Sequence, residues 1–160
     1  MTTNFELVFD KFIKKLKGDT QFFNYSGLTE DEINNIIQDH LLSLLDRAID
    51  KLYEYGNPDI NFYDKDNEKF NVSLVNQEIS LLSDLMYFSY AEEDRNKLKV
   101  LGNRFRTSEV QIMFSPANDR NSYLSMIAEL ESKVVNAVSN YYSRDRKTWK
   151  IKSIYGGDFQ

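Results

Sequence analysis

Residues 29–55 read TEDEINNIIQDHLLSLLDRAIDKLYEY, and this stretch decides the fold class. Ile33, Ile36, Ile37, Leu41, Leu44, Leu45, Ala48, Ile49 and Leu52 recur at three- and four-residue intervals, the spacing that puts apolar side chains on one face of a helix. Thr29 and Glu32 have the spacing of a capping box, in which each side chain serves the other residue's backbone N–H. Gly56 stops the pattern, and Pro58 prevents its resumption. A capped helix of about seven turns with a wide apolar stripe must pack against other helices.

Working outward, the same period appears three more times. Residues 4–17 carry Phe5, Val8, Phe9, Phe12, Ile13 and Leu16 on one face, with Thr3 and Glu6 spaced as a capping box and Gly18 past the end. Residues 73–91 are expected as a helix capped by Ser73. Residues 92–102 are expected as a short further helix or a bent continuation, ended by Gly102-Asn103. Ser115-Pro116 opens a last helix over residues 117–143, through Tyr123, Leu124, Ile127, Leu130, Val134, Val138, Tyr141 and Tyr142. Between these, residues 18–28 form a loop whose aromatics Phe22, Phe23 and Tyr25 are read as pinned to the core. Around residues 59–72 the period changes to two. Ile60 and Phe62, then Phe70 and Val72, flank a polar turn, as in a β-hairpin that must lean on other structure. Residues 104–114 are irregular or a short strand, with Val110, Ile112 and Phe114 alternating. The fold class is therefore mainly α: about four main helices, a small hairpin and an extended C-terminal arm.

With 160 residues, 41% of them hydrophobic, the chain can bury one core without covalent staples. It has no cysteine, which rules out disulfides and thiolate metal sites and fits a reducing compartment. Met1 to Lys17 lacks the unbroken apolar run of a signal peptide, and no run is long enough to span a membrane. A soluble, cytoplasmically made protein is expected.

The motifs of catalysis are missing. There is no Gly-rich phosphate loop, no nucleophile elbow and no His-Glu-x-x-His pattern. The one histidine, His40, lies beside the apolar stripe and reads as a satisfied boundary residue rather than a base or ligand. Asp64, Asp66 and Glu68 alternate like calcium ligands. A calcium loop needs Gly at its sixth position and an acid at its twelfth, and this run has Lys69 and Val75 there. Glu92, Glu93 and Asp94 read as a solvated helix end. No catalytic residue, cofactor or metal site is expected, so the chain is read as a non-enzyme.

The net charge of −5 is unevenly divided. Residues 1–143 carry 15 Lys/Arg against 23 Asp/Glu, whereas residues 144–160 carry five against two. The chain thus divides into an acidic helical body, 1–143 with its hairpin at about 59–72, and a basic arm, 144–160, hinged at Ser143. In the arm, Trp149, Ile151 and Tyr155 share one parity, as in a strand. Basic residues interleaved with an aromatic suit nucleic acid, but the segment is short and the body behind it is acidic. Protein contact fits better. Arg144, Arg146 and Lys147 meet an acidic surface while Trp149, Ile151 and Tyr155 fill pockets beside an added strand.

The layout, with RFRTSEVQIMFSPANDR at 104–120 and YYSRDRKTWKIKSIY at 141–155, resembles the head-to-tail connector (adaptor) proteins of long-tailed bacteriophages. The resemblance implies a virion protein that closes into a homo-oligomeric ring, possibly a dodecamer, between the capsid portal and the tail. Its partners would be the portal protein and a further neck or tail protein. DNA would pass through the extended channel without specific binding, and no membrane would be involved. The alternative is another phage neck or tail-completion protein, or a non-viral helical interaction module.

Overall fold

The structure is a computed structural model that describes residues 2–16, 21–23, 25–58, 63–64, 67–104 and 117–152. Four helices carry it: α1 (Glu6–Lys15), α2 (Glu30–Tyr55), α3 (Asn76–Arg104) and α4 (Ala117–Ser143). Three two-residue strands, β1 (Thr3–Asn4), β2 (Tyr63–Asp64) and β3 (Lys69–Phe70), form an antiparallel sheet in the order β1-β3-β2. The chain is a mainly α bundle with a small sheet.

α3 is the central element, packed by α1, α2 and α4. From Leu81 to Ala91 it is buried on almost every side, Asp84 and Tyr87 being the partly exposed positions. A helix surrounded in this way needs apolar or small side chains all round, and Leu82, Leu85, Met86, Phe88, Ser83 and Ser89 supply them. No glycine or proline falls between Asn76 and Leu101, so nothing breaks the helix. Of the two alternatives for residues 92–102 the chain takes continuation: one helix runs through the expected stop at Gly102-Asn103 to Arg104. α4 packs through Ile127, Val134, Val138 and Tyr141, all on one stripe.

α2 follows the sequence closely except at Ile36, which was expected on the apolar stripe and is exposed, because its rotation about the axis puts it opposite Leu41 and Leu45. Thr29 is its N-cap, and both arms of the capping box with Glu32 are formed. Its C-terminus is closed from a distance: the Tyr142 hydroxyl on α4 donates to the carbonyl of Leu52 at 2.6 Å. The Gly56 carbonyl lies 3.2 Å from the same hydroxyl. Helix-end carbonyls have no partner inside the helix, so this tyrosine satisfies what the local sequence leaves open. Gly56 has φ +155°, and a Cβ there would lie 3.2 Å from the Tyr142 ring.

Two helix starts differ from expectation, each because a distant segment takes the residue. Thr3 does not cap α1. It pairs with Phe70 in the sheet, and its hydroxyl accepts from the Leu74 N–H at 2.9 Å. Phe5 N–H donates to the Glu68 carbonyl, so α1 begins at Glu6 rather than residue 4. Ser73 does not cap α3 either. The helix begins at Asn76, and the buried Glu78 carboxylate accepts from the Val75 N–H at 2.8 Å. β1 is also what the hairpin leans on, a strand that the sequence pattern did not reveal.

The aromatic core joins these pieces. Phe5 packs edge-on against Phe70 at 4.9 Å, and Phe12 against Phe22 at 5.7 Å. Phe22 is buried, pinning the loop, whereas Phe23 is 42% exposed. Several expectations lie outside the described residues: the Gly18 helix end, Ile60, Phe62 and Asp66, the strand at Val110, Ile112 and Phe114, the Ser115-Pro116 start, and Tyr155.

Candidate partner-binding site

The basic segment does not leave the body as an extended strand. After α4 ends at Ser143, the chain turns back on itself. Arg144 and Ile151 form an antiparallel bridge, and Lys152 N–H donates to the Ser143 carbonyl at 2.8 Å. Asp145 organises the turn. Its Oδ1 accepts from the N–H of Lys147 (3.1 Å), the N–H of Thr148 (2.7 Å) and the Thr148 hydroxyl (2.8 Å). An aspartate that gathers the next backbone amides in this way favours a turn over a strand. These bonds, the Thr148 N–H first, hold the Asp145 carboxyl below its ordinary pKa. Trp149 closes the turn at φ +59°, a left-handed conformation uncommon for a bulky residue. The alternation of Trp149 and Ile151 therefore does not mark two residues of one strand face.

The turn is clamped to the body at the start of α3. Arg146 Nε and Nη2 both bind the Glu78 carboxylate, the latter at 3.0 Å, and Nη2 also donates to the Ser73 carbonyl. The Glu78 side chain is fully buried and that of Arg146 is 18% exposed. The paired geometry of guanidinium and carboxylate gives this contact direction as well as charge. Arg144 is also turned inward, its guanidinium 5.9 Å over the Trp149 ring and its Nη1 donating to the Trp149 carbonyl. Trp149 is half-buried against the core.

The proposed contact residues thus separate into two sets. Arg144, Arg146 and Trp149 face the protein itself. Lys147, Lys150, Ile151 and Lys152 face solvent, and Ile151 is 72% exposed. Arg146, expected as a partner contact, anchors the segment that carries Lys147 and Ile151. No local pattern could have revealed Glu78 as its mate, 68 residues earlier.

Glu92 and Glu93 are not a solvated helix end. They form a seam across to α2, where Glu92 meets Lys51 at 2.9 Å and Glu93 meets Arg47 and His40; within α3 itself Glu92 also meets Arg95 at 3.1 Å. His40 Nε2 lies 3.1 Å from Glu93, and its ring stacks on Phe22 at 5.1 Å. It is a satisfied boundary residue, as the sequence indicated. A third polar seam joins α1 to α3. Lys15 meets Asp84 at 2.6 Å and the Ser83 hydroxyl at 2.6 Å, and Lys11 meets Ser80. Burial pushes the Lys15 ammonium below its ordinary pKa despite Asp84. A lysine beside a serine is one form of activated nucleophile, but Ser83 has no exposed surface for a substrate to reach. Glu68, from the rejected calcium pattern, accepts instead from Gln38 at 3.2 Å. Among the described residues, no group of three or more His, Asp or Glu is placed to hold a metal. None of the described helices is long and apolar enough to cross a membrane.

Comparison with protein-family models, curated proteins and solved structures finds no match for this chain.

Proposed function

We propose that this chain is a structural virion protein: an adaptor subunit that forms a ring between capsid portal and tail and extends the DNA channel. It works by binding, without turnover. One observation carries this reading. A basic turn is fixed by the Arg146–Glu78 clamp to a body of opposite net charge, with Lys147, Lys150 and Ile151 presented to solvent. A closed ring needs two different complementary patches on each subunit, held at a fixed relation. The clamp meets that requirement without a flexible hinge, so less conformational freedom is lost on docking. The portal protein and a further neck or tail protein are the partners, and an acidic surface lets DNA pass without adhering.

The test is to locate the chain in particles. Tagged protein in purified virions, imaged with a gold-labelled antibody, is expected at the vertex joining head and tail, in a ring of about twelve copies. Absence from particles, or label confined to the capsid shell or tail tip, overturns the reading. Truncation is cleanest after Lys152. Cutting after Ser143 removes Arg146 and leaves the Glu78 carboxylate buried without its cation.

A further inference from the structure

We infer that the basic turn of one copy docks on the outer face of α2 of a second copy. The inference deepens the assembly reading above and rests on it for the biological setting.

Helical rotation of about 100° per residue puts Ile36, Asp39, Asp50, Tyr53 and Glu54 on one side of α2, opposite the buried stripe of Leu41, Leu44, Leu45, Ala48 and Leu52. All five are exposed. The two cations of α2, Arg47 and Lys51, lie on its flank and are paired with Glu93 and Glu92 of α3. Among the described residues, neither forms an ion pair with Asp39, Asp50 or Glu54. The result is an uncovered helix face that mixes carboxylates with two apolar side chains.

The turn is its complement. Lys147, Lys150 and Lys152 are exposed cations, and Ile151 is an apolar side chain set between two of them. Opposite charges around a small apolar contact are what steer and register a protein–protein docking.

A second copy must supply the occupant. Within one chain, the Tyr142 bond to Leu52 and Gly56 holds the end of α4 against the end of α2, and Arg146 ties the turn to the start of α3. Asp39 lies 17 residues before Gly56, about 25 Å along the helix axis at the helical rise. The clamped turn therefore cannot reach the Ile36 and Asp39 half of its own α2 face, and a contact along the whole face needs a second copy. Turn and face are different patches, so the contact is heterologous and propagates from copy to copy.

The experiment measures self-association of the full chain by sedimentation velocity at low and high salt. Two variants are used, Lys147→Glu with Lys150→Glu in the turn, and Asp39→Lys with Asp50→Lys on α2. None of these residues belongs to the core or the clamp, and circular dichroism checks that each variant is folded. Wild type is expected to associate at low salt and to dissociate as salt rises. Each variant alone is expected to associate about tenfold more weakly or worse. An equimolar mixture of the two restores association, because each reversed turn then meets a reversed face. A monomeric wild type, variants that associate like wild type, or a mixture without rescue each overturn the inference. The two proposals fail separately. A chain monomeric in solution but ringed at the portal vertex refutes this contact alone. One that associates through this contact but is absent from particles refutes the virion reading alone.

Discussion

Glu78 and Glu93 stand on the same helix and each meets an arginine from another element, yet their surroundings differ. Glu78 is fully enclosed, held by both nitrogens of one guanidinium, and also accepts a backbone N–H. The Glu93 side chain is 19% exposed, and its partner Arg47 is half in water at 50%. Water screens the second pair and can replace either member. The first has no such substitute, so losing one member strands a charge in a low-dielectric interior. Two ion pairs of similar appearance therefore carry different weights. The enclosed one decides where the C-terminal segment sits.

The largest expected effect follows. Arg146→Ala should cost about 3 kcal/mol of stability, measured by chemical denaturation, because it leaves the Glu78 carboxylate buried and unpaired. Arg146→Met combined with Glu78→Leu should recover part of that loss, since no charge then stays behind. Equal losses in the two variants would mean that the clamp acts through packing rather than charge. Trp149 is the only tryptophan, so its emission reports the turn directly, and Arg146→Ala should shift it to the red.

Next in size is the closure of α2 by Tyr142. Tyr142→Phe should cost about 1 kcal/mol, the typical worth of one hydrogen bond to a helix-end carbonyl. Gly56→Ala should cost more, about 1–2 kcal/mol, because it adds backbone strain to a 3.2 Å approach on the Tyr142 ring. A neutral Gly56→Ala would show that the end of α2 can move away from α4.

The outer seam gives a smaller effect. Arg47→Ala should cost less than about 1 kcal/mol, and the difference from wild type should shrink as salt is added. A loss as large as that of Arg146→Ala, unchanged by salt, would break the contrast drawn between the two pairs.

How far each region could be read from sequence follows the same division. α2 was legible almost to the residue, because Thr29, Glu32, the apolar period and Gly56 act within a few positions of one another. Its outer partner Tyr142 was not, being 86 to 90 residues away. Thr3 and Ser73 carry correct local signals for helix caps, but Thr3 is taken by Leu74 and β3, and Glu78 serves the start of α3 in place of Ser73. In the C-terminal segment the parity of Trp149 and Ile151 fits a strand. Asp145 outweighs it by gathering two backbone amides and the Thr148 hydroxyl into a turn. Charge sets this segment apart from the body. Which of its residues face outward depended on a buried glutamate that no spacing rule connects to it.

Asp145 also allows the finest test of the comparison, by pH. Its folded-state pKa is lowered, first by the Thr148 N–H, then by the Thr148 hydroxyl, the Lys147 N–H and the charge of Lys152. A carboxylate whose pKa falls on folding stabilises the native turn at pH above its ordinary value, near 3.8, and loses that contribution as pH falls through the lower folded value. Wild-type Trp149 emission should therefore stay constant from neutral pH down to about 4 and change only below it. Asp145→Asn keeps an oxygen to accept the Thr148 N–H but cannot titrate, so its emission should stay native-like to lower pH. Asp145→Ala has no acceptor and should show the altered emission already at neutral pH. If Asp145→Asn retains the wild-type acid step, the titration of Asp145 does not set that step.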